Sequence, residues 1–346
     1  MVLFAQPKNM NIEKVVQQHV QNGFNGVVLV AEKGKPIYHR AIGFGDFAKR
    51  TSLQPDDIFE MASLSKAFTA MIIMKLKEKG KLQYDDLLEN YLTTPYKGIT
   101  IRHLLTHTSG LPDYQEIMDR YWDKSKAAGN NDILDYLNRY APPALFEPGT
   151  KYDYSNTGYV LLASIAEKVS GKDFIKLSRK WIFKPLKMHS TNIRTLEEKA
   201  ATDNFAIGHI YVPERQVYVR ADSFPSSDYT IWLGNRKGPG RVSSTAVDLL
   251  KWDQAWYTEK LVKQATINEA FQPMTLENNT VSQYGFGWVL RSHPKLGKNT
   301  FHTGDNPGYE NRFARYIDAN KTVILLSNNA YEKIDDLLSE LEKELE

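Results

Sequence analysis

The sequence predicts an α/β (α+β) fold in which both chain ends build a central antiparallel sheet, terminal helices flank it, and a helix-rich lobe is inserted between them. Three observations carry this expectation. Strand-like runs are confined to residues 26–42 and to the region after Gly287, the long segment between reads as helix, and no repeat or Pro/Gly/Ser-rich linker divides the 346 residues.

The elements follow in order. Ile12, Val15, Val16 and Val20 recur at helical spacing over 11–21, and Gly23 stops the helix. Residues 26–31 form a β-branched run, Gly34 supplies a turn, and 36–42 resumes in extended character, which together read as a hairpin. A helix is expected over 62–79, closing at Gly80. Another carries Tyr159, Leu162, Ala166 and Val169 and closes at Gly171. Strands return over 312–317 and 322–326 around a turn at Asp318, Ala319 and Asn320. Ile334, Leu337, Leu338, Leu341 and Leu345 then form the apolar stripe of a closing helix. The expected organisation is one unit over 1–346, with an α/β lobe about 10–61 and 285–346, a helical lobe about 62–284, and a cleft between them.

Composition excludes several classes. With 42% apolar and 25% charged residues the chain is an ordinary globular one, outside the signature of disorder. Lys and Arg total 44 against 41 Asp and Glu, so a formal charge of +3 gives no support to nucleic acid or an anionic membrane as partner. The absence of cysteine removes thiol nucleophiles, Cys-based zinc sites, iron–sulfur clusters and disulfides, and leaves the redox compartment open. No run approaches the ~18 apolar residues of a membrane helix. The start, MVLFAQ, fits a remnant of an export signal or a native start equally.

Three short segments can carry chemistry. Ser63 and Lys66 stand at i and i+3 at the start of a helix, which puts the amine within reach of the hydroxyl and the nucleophile among first-turn N–H groups. A lysine of lowered pKa can then activate the serine without histidine. Taken alone, this spacing equally fits a helix cap with a solvated lysine, and Ser292 and Lys295 repeat it. Tyr154 and Asn156 lie on a loop before the Tyr159 helix. An adjacent ammonium would lower the phenol from about 10 and make Tyr154 a usable base and then acid, with Asn156 orienting the lysine or a substrate amide. This triplet also has a second copy, Tyr309 and Asn311, and fits an aromatic anchor beside a turn. His302, Thr303 and Gly304 occur once, near the last strand group. The glycine permits close backbone approach, and the N–H of Asp305 could join that of Ser63 around an oxyanion.

In this order and at these separations, the three segments resemble the serine β-lactamase and penicillin-binding DD-peptidase superfamily, nearest to its class C-type branch. The stretch IRHLLTHTSGLP at 101–112, FEPG at 146–149, YGFGW at 284–288 and Gly308 look like the same branch, so the resemblance runs from about residue 26 to 328. It implies a β-lactamase/transpeptidase-like fold and acyl transfer without a cofactor. Ser63 is then the nucleophile, Lys66 and Tyr154 shuttle its proton, Asn156 positions Lys66 and substrate, His302, Thr303 and Gly304 line the substrate wall, and the N–H groups of Ser63 and Asp305 hold the oxyanion. The implied partner is a small molecule or short peptide: a β-lactam, a D-Ala-D-Ala peptide, a D-amino-acid amide or an ester. Histidine in the third segment is similar to DD-peptidase, D-aminopeptidase and esterase members more than to efficient class C β-lactamases. Asp305 stands where many relatives have a small residue, and its carboxylate would repel a substrate carboxylate if it points into the cleft. The family's habit of acting on cell wall leads to a periplasmic or secreted location as the expectation.

Other readings are open to the residues. A non-catalytic or slowly turning over sensor of cell-wall ligands could use the same scaffold. His103 and His107 have the spacing of a helical zinc pair, but no intervening glutamate or third ligand accompanies them, so packed, hydrogen-bonded rings are expected instead. No Gly-x-Ser-x-Gly elbow and no phosphate-binding glycine motif is present.

Overall fold

The structure, a computed structural model, describes residues 7–346, so the start at Met1–Gln6 lies outside the described residues. Its centre is a six-stranded antiparallel sheet. The strands are β1 (Gly26–Glu32), β2 (Lys35–Ile42), β3 (Val289–His293), β4 (Gly297–Asn306), β5 (Tyr309–Tyr316) and β6 (Lys321–Ser327), in the order β3-β4-β5-β6-β1-β2. The two chain ends meet at its middle, where β1 pairs with β6 from Gly26 opposite Ser327 to Glu32 opposite Lys321.

Strand alternation sorts the side chains onto two faces. Val28, Val30, Phe301, Ala314, Val323 and Leu325 face one way and join Ile12 and Val16 of helix α1 (Pro7–Gln21) in a core under the chain ends. Helix α2 (Ser65–Glu78) and helix α3 (Asn156–Ser170) lie in the larger core on the other side, to which Val27, Leu29, Phe313, Ile324 and Leu326 turn. Ile334, Leu337, Leu338, Leu341 and Leu345 of helix α4 (Ile334–Leu345) are buried beside α1, as their spacing predicts. Arg315, on the inner face, clamps the two layers. Its Nε donates to Asp253 Oδ1 at 2.6 Å on the helix Ala246–Ala255, and Thr322 donates to the other carboxylate oxygen at 2.9 Å.

The expected helix over 62–79 is divided. Ala62–Leu64 form a 3-10 turn, and α2 begins only at Ser65. Ala62 has φ +45°, a left-handed conformation that an α-helix of L-residues does not continue.

Candidate active site

Ser63 lies in the middle of that turn. The left-handed backbone at Ala62 costs on the order of 1–3 kcal/mol, and such strain persists only where neighbours enforce it. Here they do: Met61 N–H donates to Val242 O at 2.8 Å, and Val242 N–H donates to Ser65 Oγ at 3.0 Å. Hydrogen bonds within the turn run from Leu64 N–H to Met61 O and from Ser65 N–H to Ala62 O, so they do not use the Ser63 N–H.

The strand β4 presses against the turn at Gly304. A Cβ there would sit 2.3 Å from Met61 O, so only glycine lets the two backbones approach this closely. Pairing between β3 and β4 stops at Val289 opposite Phe301, which leaves residues 303–306 without a β3 partner.

Lys66 follows on the first turn of α2 and is fully buried. Its Nζ lies 3.0 Å from Ser63 Oγ, 2.8 Å from Asn156 Oδ1 and 3.1 Å from Pro239 O. Burial, and then the positive charge of Arg236, hold its pKa well below the usual 10.5. A neutral amine has two hydrogens and one lone pair. Asn156 Oδ1 and Pro239 O can only accept, so they take the hydrogens and leave the lone pair for the Ser63 hydroxyl.

Tyr154 covers this group, with Lys66 Nζ 4.6 Å from its ring centre. The lowered phenol expected from the sequence does not occur. Burial raises Tyr154 above its ordinary 10, and hydrogen bonding with Ser63 opposes the rise only in part. The reason is that desolvation disfavours the phenolate, and the neighbouring Tyr152 and Asp305 add to the rise. Tyr154 keeps 40% of its surface exposed, and water there tempers the rise. It is held from below by His107, whose ring centre lies 4.2 Å away. His107 accepts the Ser155 N–H on Nδ1 at 3.0 Å and the Asp153 N–H on its carbonyl at 2.9 Å, tying the chain on both sides of Tyr154. Asn156 opens α3, capped by Ser155 Oγ, which accepts the Gly158 N–H at 3.2 Å.

His302 is on the inner face of β4 and only 3% exposed. Its Nδ1 lies 2.6 Å from Thr303 O, which can only accept, so Nδ1 carries the proton and Nε2 accepts the Tyr284 hydroxyl at 2.8 Å. Burial, with Lys66 nearby, lowers its pKa from 6.5 to about 3. Thr303 and Asp305 alternate to the opposite face, and Asp305 Oδ1 takes a hydrogen bond from Arg312 at 2.6 Å. The Asp305 carboxylate is therefore held by Arg312, which Glu310 and Asp335 also flank.

A cleft of about 100 Å³ joins Ser63 and Asn156 to Asp305 and Asn306 on one side and to Gln115, Tyr229, Arg236, Pro239 and Gly240 on the other. Among the residues of this second wall, the sequence motifs single out none. His107 and Tyr284 sat within quoted stretches, but Arg236 and Pro239 carry no periodicity or motif that would single them out. The repeated motifs are elsewhere. Ser292 and Lys295 flank the end of β3, and Asn311 in β5 spends its amide on Glu60 O and Gly304 O. His103 and His107 are not a helical pair, because the helix Ile101–Leu105 ends before His107, at φ +58°. His103 Nδ1 accepts the Thr100 N–H at 3.2 Å. Among the described residues no His/Cys/Asp/Glu group is arranged to hold a metal ion.

The sequence matches the Beta-lactamase family over residues 12–345. The chain belongs to the Beta-lactamase family. It is 44% identical over 311 residues to penicillin-binding protein 4* of Bacillus subtilis, covering 88% of this chain and 68% of that protein. A solved penicillin-binding protein from Bacillus halodurans superposes with a TM-score of 0.80 at 25% identity, covering 98% and 99% of the two chains. The D-amino acid amidase of Ochrobactrum anthropi SV3, at 24% identity, shares the fold with a TM-score of 0.81 and the same coverage. As a member of this family the protein is a serine hydrolase.

Proposed function

We propose that the protein hydrolyses a small polar amide or ester of the D-amino-acid or short-peptide class through an acyl-enzyme on Ser63. The observation that carries this reading is the buried Lys66 Nζ, 3.0 Å from Ser63 Oγ at the edge of the cleft, with Asn156 Oδ1 and Pro239 O as its other partners. Ser63 Oγ bonds to the substrate carbonyl carbon as its proton passes to Lys66 Nζ. The N–H groups of Ser63 and Asp305 receive the oxyanion, a contribution on the order of 3 kcal/mol per donor. Tyr154, protonated at rest, gives its proton to the departing nitrogen or oxygen as the carbon–heteroatom bond breaks, and Lys66 restores it. Water then attacks the ester, losing a proton to the same pair, and Ser63 leaves with a proton regained.

The substrate class rests on two supports. The cleft of about 100 Å³ is smaller than the roughly 300–1,000 Å³ of sites for drug-sized ligands, and its lining is mostly polar. The relatives named above include penicillin-binding proteins, and the shared fold includes a D-amino acid amidase. Side-by-side turnover of nitrocefin, a D-Ala-D-Ala peptide, a D-amino-acid p-nitroanilide and short p-nitrophenyl esters tests it. Steady release after a burst from the D-amino-acid or short ester substrates is expected. A single stoichiometric burst with no turnover of any of them would replace this reading with a sensor.

A further inference from the structure

The two ends of the cleft differ in charge. At the β4 end stand three carboxylates around one guanidinium: Arg312 contacts Asp305 at 2.6 Å, Asp335 at 2.6 Å and Glu310 at 3.2 Å. His302, behind the same strand, is neutral. This end does not favour an anionic substrate group.

The opposite end holds Arg236. Its Nη1 donates to the Tyr114 hydroxyl at 2.8 Å, and its guanidinium lies 5.8 Å from the ring centre of Tyr229. Its Nε is buried with no hydrogen-bond partner, and its Nη2 lies beside Gly240, 3.7 Å from where a side chain would begin. Among the described residues Arg236 forms no ion pair within 4.0 Å; Glu60 and Asp113 act on it only from farther away. The Glu60 carboxylate is already engaged by Lys199. A partly buried guanidinium whose Nε has no partner lines the nucleophile's own cleft, and a carboxylate is the partner that matches its planar fork.

We propose that Arg236 is a specificity-determining residue that selects substrates bearing a carboxylate on the acyl half. This deepens the reading given under Proposed function and rests on it. Tyr154, the acid for the leaving group, is not among the residues that line this cleft, whereas Arg236 is, so the group that meets Arg236 stays with the acylated portion. Gln115 and Asn156 also line this cleft, so Gln115 and the Asn156 amide nitrogen are available to a neighbouring amide.

The test compares p-nitrophenyl hydrogen glutarate with its neutral isostere, methyl p-nitrophenyl glutarate, in the wild-type protein, Arg236→Gln and Arg236→Lys. In the wild type kcat/KM should favour the anionic ester by at least about tenfold, the lower end expected of one charge-assisted contact. Arg236→Gln should collapse that ratio to about one, whatever loss is common to both esters, and Arg236→Lys should retain an intermediate ratio. A wild-type ratio of one or below overturns the assignment without any variant, so a Gln variant that fails to fold does not shelter it. A ratio unchanged in Arg236→Gln overturns it equally. If neither ester nor a penicillin reagent acylates Ser63, the acyl-enzyme reading itself fails and the assignment falls with it. Turnover of both esters without discrimination sinks only Arg236.

Discussion

At the residue scale catalysis turns on which group holds the proton. Lys66 is the base because desolvation disfavours its charged form and its two hydrogens are already committed to Asn156 and Pro239. Lys66→Met should lower the rate of Ser63 acylation by about 10³, within the 10²–10⁴ range of general-base catalysis, while the far-UV spectrum stays unchanged. Stopped-flow measurement of the burst with an activated ester checks this; a loss under tenfold would remove Lys66 from the role. The acid limb of kcat/KM should also lie well below 10.5, since only the neutral amine is active. His302 gives a second pH signature. Its folded pKa of about 3 lies below the ordinary 6.5, so between these values the unfolded chain binds a proton that the native protein refuses. Stability should therefore fall as pH drops from about 6.5 toward 3, by about 1.4 kcal/mol per unit from this residue. Urea unfolding of wild type and His302→Gln across that range measures it, with the variant showing the shallower decline.

At the element scale the site is a meeting of one strained turn, one helix start and one strand. Gly304→Ala would place a methyl 2.3 Å from Met61 O and push β4 away from the Ser63 turn. We expect activity to fall by at least about 100-fold, equivalent to roughly 3 kcal/mol of transition-state stabilisation, with the protein still folded; near-wild-type kcat/KM would show that this approach is not needed. The motifs were legible because each is local. Ser63 and Lys66 need only one helical turn to meet, and His302 to Gly304 need only alternation along one strand. The wall formed by Arg236, Pro239 and Gly240 was not legible, since a loop without periodicity brings it to the site and its backbone carbonyl, at Pro239, has no residue-type signature. The start of α2 was misread for a related reason: the left-handed Ala62 is imposed by Val242, nearly two hundred positions away, and alanine itself favours helix.

At the scale of the whole molecule, the sheet joins the chain ends and the helical layer is clamped onto it. The hydrophobic periodicity of 11–21, 26–42, 312–326 and 334–345 was enough to place the sheet and both terminal helices, because each buries one regular face. The clamp was invisible, as Arg315 and Asp253 are charges where an apolar pattern would be expected. Asp253→Ala would leave Arg315, only 1% exposed, buried without its partner. Breaking such a pair should destabilise the fold by about 3–5 kcal/mol. Thermal unfolding followed by circular dichroism checks this, and an unchanged midpoint would mean the layers are held by apolar packing alone.

The most direct test of the acyl-transfer account is covalent labelling of the intact protein with a fluorescent penicillin or an activated ester, followed by peptide mass spectrometry. The account predicts one adduct, on Ser63, absent from Ser63→Ala and strongly slowed in Lys66→Met. An adduct on any other residue, or labelling that survives Ser63→Ala, would contradict it.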